Sequence, residues 1–228
     1  MMRDTIVTGN ARDLTDTIPD GCARMVFTDP VYQNLDDYDW LARLALRVLQ
    51  PRGVVLVWTS FPNLGATQSI MEAAGLQYVY TLCYTVIAKT WRMHWYHLFS
   101  WTTPCLWFQR PGEATRPNQW MPDTIQETIL LDNTVIANEP PETPFVWNKN
   151  PKPIRVWIER FTRSGEIVVD PFAGTGTVPV VCQTLGRSFY ACERDPERAE
   201  EARRRLAATP LPLWIDEPDS LPQLRMLE

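Results

Sequence analysis

Two short loops carry the residue types that could do chemistry. The first is Val26-Phe27-Thr28-Asp29-Pro30-Val31-Tyr32, an apolar run ending in Asp-Pro. Proline ends such a run and restricts the residue before it, so the Asp29 side chain and the Pro30 carbonyl stand as two acceptors at the end of a strand. Two adjacent acceptors suit an amino group, which presents two N–H donors, and Tyr32 adds an aromatic face. An ordinary turn with an exposed Asp is the other reading of this loop. The second runs from Ile167-Val168-Val169-Asp170 through Pro171-Phe172-Ala173-Gly174-Thr175-Gly176-Thr177. Its glycines let a ligand approach the backbone closely, and a helix starting there offers unpaired N–H groups. A dinucleotide fingerprint would place a third glycine where Pro179 stands, and the Gly-Lys-Ser/Thr of a phosphate loop is absent. A turn with a structural role alone uses the same residues. About twenty residues beyond the glycines, Ser188–Glu193 ends in an acid that can accept both hydroxyls of a ribose or cap the next helix.

These loops need elements to hold them. Apolar runs at Thr5–Thr8, Met25–Thr28, Val54–Thr59, Tyr78–Ile87, Pro104–Gln109, Ile167–Val169 and Phe189–Cys192 predict strands. Between several of them lie helical patterns: Leu41, Leu44, Ala45, Val48 and Leu49; Ile154, Trp157, Ile158 and Phe161; Val178, Val181, Cys182 and Leu185. Asp195-Pro196-Glu197 is a helix start with a cap, a proline at the first helical position and an acid in the first turn. Alternation of this kind implies an α/β fold with a largely parallel sheet covered on both faces. No helix separates Tyr78–Ile87 from Pro104–Gln109, which predicts an antiparallel hairpin with its tip at Lys89–Ser100. The stretch Pro111–Pro151 holds seven prolines and little periodicity, and reads as an irregular linker.

The chain has 228 residues and a net charge of −5, which excludes a protein that coats nucleic acid through bulk charge. No apolar run is long enough to span a bilayer, the N-terminus lacks signal-peptide features, and five scattered cysteines suggest neither a disulfide framework nor a metal site. A cytoplasmic protein without a membrane or a metal is expected.

Together the loops resemble the β-class amino-methyltransferases of DNA, in which the catalytic motif precedes the cofactor motif. Asp29-Pro30-Val31-Tyr32 is similar to the family's Asp-Pro-Pro-Tyr, and Asp170–Thr177 to its Asp-Pro-Phe-x-Gly-x-Gly-Thr. Lys152-Pro153 looks like the Lys-Pro ahead of the glycine loop, and Trp40 through Val54 like a helix-to-strand passage of the family. Val31 departs from the second proline, Asn10 from the acid of a Gly-Asp pair, and Asn148 from a histidine.

The resemblance implies a Rossmann-like methyltransferase fold, with a seven-stranded, mostly parallel sheet, one antiparallel strand and circularly permuted motif order. It implies a single domain over 1–208, with a catalytic half 1–112, a short recognition or linker region 113–147 and a cofactor half 148–208, followed by a tail 209–228. It implies methyl transfer from S-adenosylmethionine to adenine N6 of a flipped base in DNA. Cytosine N4, an RNA target and a non-catalytic relative are the alternatives. Asp29, Pro30 and Tyr32 would be catalytic; Asn10, Lys152, Asp170, Phe172, Ala173, Gly174, Gly176, Thr177 and Glu193 would bind cofactor.

DNA would meet the hairpin tip, where Lys89, Trp91, Arg92, His94 and Trp95, with Arg110 and Arg116, interleave cations and aromatics suited to phosphate contact and base stacking. The same aromatics would equally serve as the core of a hairpin or a subunit interface. A second basic cluster, Lys149, Lys152, Arg155, Arg160 and Arg163, precedes the glycine loop. So short a recognition region implies modest sequence specificity, and relatives of this class often dimerise.

Overall fold

The computed structural model describes residues 2–87, 91–93, 98–128 and 149–211. Runs rich in Val, Ile and aromatic residues become strands because such side chains pack well on a pleated, buried surface. These are β1 (Ile6–Thr8), β2 (Ala23–Thr28), β3 (Leu49–Trp58), β4 (Gln77–Ile87), β5 (Trp91–Met93), β6 (Leu98–Ser100), β7 (Thr102–Gln109), β8 (Thr124–Thr128), β9 (Ile167–Asp170) and β10 (Ser188–Glu193). Eight form one sheet in the order β1-β10-β9-β2-β3-β7-β4-β8, while β5 and β6 pair as a separate antiparallel ribbon. Only β7 runs against the others, pairing antiparallel with both β3 and β4.

The helices are α1 (Ala11–Leu14), α2 (Asp36–Val48), α3 (Leu64–Ala73), α4 (Pro151–Phe161), α5 (Thr177–Thr184) and α6 (Pro196–Ala208). Period-two alternation along the central strands sorts the core into two layers. Met25 and Phe27 of β2, with Leu56 and Trp58 of β3, pack on α4 and α5 through Trp157, Ile158, Phe161, Val178 and Val181. Val26, Val55 and Val57 face the other way, against Leu41, Ala45 and Val48 of α2 and Met71 of α3. Covered on both faces, these strands are apolar almost throughout, as an internal parallel sheet requires.

All seven expected strands are present, and the predicted hairpin is β4 paired with β7. The sheet has an eighth strand: β8 lies inside the proline-rich stretch read as irregular, and pairs parallel to β4. Five residues free of proline suffice for an edge strand, and Ile125 is its buried anchor. No helix among the described residues is long and apolar enough to cross a membrane.

The strand order decides where a site can form. β10, β9 and β2 are neighbours and parallel, so their carboxyl ends bring Glu193, Asp170 and Thr28-Asp29 side by side. Ligands of open parallel sheets bind beyond such ends.

Candidate active site

The described residues enclose a cavity of about 850 Å³ at this edge. Asp29, Pro30 and Tyr32 line it from the end of β2; Asp170, Phe172, Ala173, Gly174 and Thr177 from β9 and the loop after it; Glu193 from β10; and Asn10 from the turn after β1.

Asp29 is the most unusual group in the cavity. Its Oδ1 is buried and has no hydrogen-bond partner among the described residues. Its Oδ2 lies 3.2 Å from the Lys149 ammonium. Burial pushes the Asp29 carboxyl above the usual range, and Lys149 and the Tyr32 hydroxyl pull it partly back. Tyr32 accepts a hydrogen bond of 2.5 Å from Lys149 Nζ, and burial together with the Asp29 charge pushes its phenol up. Lys149 Nζ also stands 5.1 Å from the centre of the Tyr32 ring and 5.2 Å from that of Trp58, within range of a cation–π attraction. Asn63 braces the loop by donating to the Tyr32 carbonyl at 2.6 Å.

Asp170 ties the two loops together. Its buried Oδ1 accepts from the Thr28 hydroxyl at 2.6 Å and from the Phe172 amide at 3.3 Å. Burial, reinforced by the charges of Asp29 and Glu193 and opposed by these two donors, pushes its carboxyl from 3.8 to about 7. Glu193 is clamped at both oxygens, Oε2 accepting from the Gly174 amide at 2.8 Å and Oε1 from the Asp195 amide at 2.9 Å. Each carboxylate oxygen retains a further lone pair. Glu193 thus braces the start of α6 and also lines the cavity.

Asn10 accepts from the Arg12 amide at 3.0 Å and so caps α1, while its side chain remains exposed at the cavity. Arg12 then reaches α2, bonding Asp37 at 2.9 Å and standing over the Trp40 ring, which makes a perpendicular contact with the Phe172 ring. The start of α2 and the glycine loop are therefore packed together.

Several expected site residues lie elsewhere. Gly176 does not line the cavity. With φ of 80° it turns the chain into α5, and a Cβ there would come within 2.8 Å of the Ala202 Cβ on α6, so it serves close packing. Lys152 is exposed in the first turn of α4, which Asn150 caps, and it lies outside the cavity lining; Lys149, three residues earlier, enters the site instead. Arg110 turns inward and donates to the carbonyls of Leu46 and Leu49, each at 2.6 Å, so it staples the end of α2 rather than facing phosphate. Arg116 is exposed, and Trp91 and Arg92 sit on β5. Lys89, His94 and Trp95 lie outside the described residues. In the second basic cluster, Arg155 pairs with Glu159 at 3.3 Å and Arg160 bonds Gln119.

Lys149, Trp58 and Thr28 were missed as site residues. The Asn150-Pro151 pair, a cap followed by a proline at the first helical position, marks where α4 begins and places Lys149 upstream of it, at the mouth of the sheet. Read that way, the sequence separates Lys149 from the helix-borne cations.

A family model described as DNA methylase, of the N6/N4 methyltransferase type, matches residues 23–204. The chain is 25% identical over 186 residues to the type II methyltransferase M2.DpnII of Streptococcus pneumoniae, covering 74% of this chain and 65% of that protein. It therefore spans less than two thirds of the length of that curated relative. Among solved structures, the M1.HpyAVI–SAM complex superposes with a TM-score of 0.72 at 19% identity, over 89% of this chain and 98% of the other. The cytosine-N4-specific PvuII DNA methyltransferase does so at 0.72 and 16% identity, over 88% of this chain and 85% of the other.

Proposed function

This chain belongs to the DNA methylase family of the N6/N4 type, and from that premise we propose that it transfers a methyl group from S-adenosylmethionine to the exocyclic amino group of a DNA base. The observation that carries the reading is Asp29 Oδ1, a buried acceptor without a partner among the described residues, in the wall of the cavity. A buried acceptor is costly unless a donor arrives, and an amino group is such a donor.

The donor set fits the cofactor. The cavity lining holds the cations Arg12, Lys149, Arg194 and Arg198, and adjoining strand ends add three carboxyl groups, Asp29, Asp170 and Glu193. Carboxylates suit hydroxyls and positive charge, which a sulfonium nucleoside has. Glu193 would take the ribose hydroxyls, Asn10 the adenine edge, Phe172 an aromatic face, and Asp170 with Gly174 the neighbourhood of the amino-acid end. When bound, the cofactor supplies an electrophilic methyl group.

The chain's own residues do the rest. An exocyclic nitrogen is a poor nucleophile because its lone pair is delocalised into the ring. Asp29 and the Pro30 carbonyl, each accepting one N–H, favour a more tetrahedral nitrogen and stabilise positive charge as it develops. Tyr32 offers the face on which a base stacks, and a base in a duplex must leave its stack to reach it. The proton released by the methylated nitrogen goes to Asp29 or to water.

Adenine N6 is the favoured target, on the strength of Asp rather than Ser at the head of the loop. Nucleoside mass spectrometry of DNA from a methylation-free host expressing the chain tests this, with N6-methyladenine expected. N4-methylcytosine alone would overturn the choice of base and leave amine methylation standing. No modified base in DNA would overturn the reading itself.

A further inference from the structure

Asp29 presents its two oxygens differently. Oδ2 is held by Lys149 at 3.2 Å, while Oδ1 is buried and unpartnered among the described residues. The ammonium that holds Oδ2 also donates to the Tyr32 hydroxyl at 2.5 Å and lies against the rings of Tyr32 and Trp58. Three residues from two separated segments thus meet at one nitrogen, and two of them, Asp29 and Tyr32, belong to the loop that faces the target. An ordinary surface ion pair has none of this support, because exposed partners move freely and contribute little.

We propose that Lys149 is the positioning residue of the acceptor site: its ammonium fixes the Asp29 carboxylate and the Tyr32 hydroxyl as one rigid set, with Oδ1 left as the oxygen that receives the incoming amine. The assignment rests on the reading of the site as an amino-methyltransferase. It explains why a cation stands beside a position that handles developing positive charge: Lys149 engages Oδ2 from the side, and Oδ1 is the acceptor that faces the substrate. The Lys149 charge also favours the ionised form of the carboxyl, against the upward push of burial. The Asp29 charge in turn pushes up the Asp170 carboxyl on β9, the Cys105 thiol on β7 and the Tyr38 phenol on α2, while Lys149 and the Tyr32 hydroxyl are the groups that favour the charged form of Asp29 among the described residues.

The test is a titration of the full chain labelled with carboxyl-13C aspartate, using Asp29→Asn to assign the resonance. In Lys149→Met the Asp29 midpoint should rise by about one pH unit or more, as expected when a close opposite charge is removed. Lys149→Arg should restore most of that shift, and Lys149→Gln should behave like Met, which guards against one variant failing to fold. In turnover, Lys149→Met should lose kcat about tenfold on the acid side of the profile, with the acid limb displaced upward and cofactor affinity unchanged. An Asp29 midpoint that stays at the wild-type value in both Lys149→Met and Lys149→Gln would overturn the assignment. So would Arg failing to rescue the shift. The titration needs no turnover, so a wild-type chain that never methylates DNA defeats the proposed function alone, while turnover with an unshifted Asp29 defeats Lys149 alone.

Discussion

At the scale of single residues, the acceptor site is a problem in solvation. A carboxylate with one oxygen buried and unpartnered among the described residues is poised for a donor. Asp29→Ala should lower methyl transfer by about a hundredfold or more, the usual loss when a preorganised group facing transition-state charge is removed. Calorimetry should show cofactor affinity within about twofold of wild type, since Asp29 belongs to the acceptor loop; persistent turnover would remove Asp29 from its role. Burial pushes the Asp29 carboxyl upward. The acid limb of kcat/KM should therefore lie above the ordinary carboxylate range, activity falling as pH drops through it. Asp29, Tyr32, Asp170 and Glu193 were readable from local sequence, because Asp-Pro and Gly-x-Gly state their geometry within a few residues. Lys149 was not, because its meaning depends on Trp58 and Tyr32, which chain distance hides. Lys152 carries the Lys-Pro pattern, but it stands exposed in the first turn of α4.

At the scale of elements, two joints hold the site together and each makes a prediction. The first is Thr28 to Asp170, which bridges the ends of β2 and β9. Asp170 has a folded value of about 7 against an ordinary 3.8, so the folded state binds its proton more tightly than the unfolded one. Its contribution to stability is full below the ordinary value and is lost as pH rises toward 7. Urea unfolding at pH 5 and pH 8 should accordingly show a smaller pH dependence in Asp170→Asn than in wild type, with the variant gaining relative stability at pH 8. The second joint is Gly176, where α5 meets Ala202 of α6. Gly176→Ala combines a positive φ with a 2.8 Å clash, and should cost about 2 kcal/mol or more in chemical unfolding. The sequence showed a glycine needed for closeness, and the structure replaces a ligand with a helix as the close neighbour. β8 escaped reading because an edge strand needs one buried residue, and Ile125 alone leaves no periodic signature.

At the scale of the whole molecule, the net charge and the pairing of individual cations bear on how DNA would be held. The chain is net negative, Arg110 is turned inward, and Arg155 is matched by Glu159. Association with duplex DNA should therefore release few counterions, with a slope of log affinity against log salt no steeper than about −4 by fluorescence anisotropy. A slope near −8 would mean a broad phosphate-binding face. The sheet order carries a temporal consequence. Thr28 and Asp170 are bonded neighbours 142 positions apart, and β10, which completes the site, follows still later. Ribosomes deliver a chain from its N-terminus, and distant pairings form late. Until β9 has been made, the emerging polypeptide carries Asp29 on a strand that lacks this neighbour and has no glycine loop beside it. Under the proposed function, a chain interrupted anywhere between β2 and β9 is thus silent by construction.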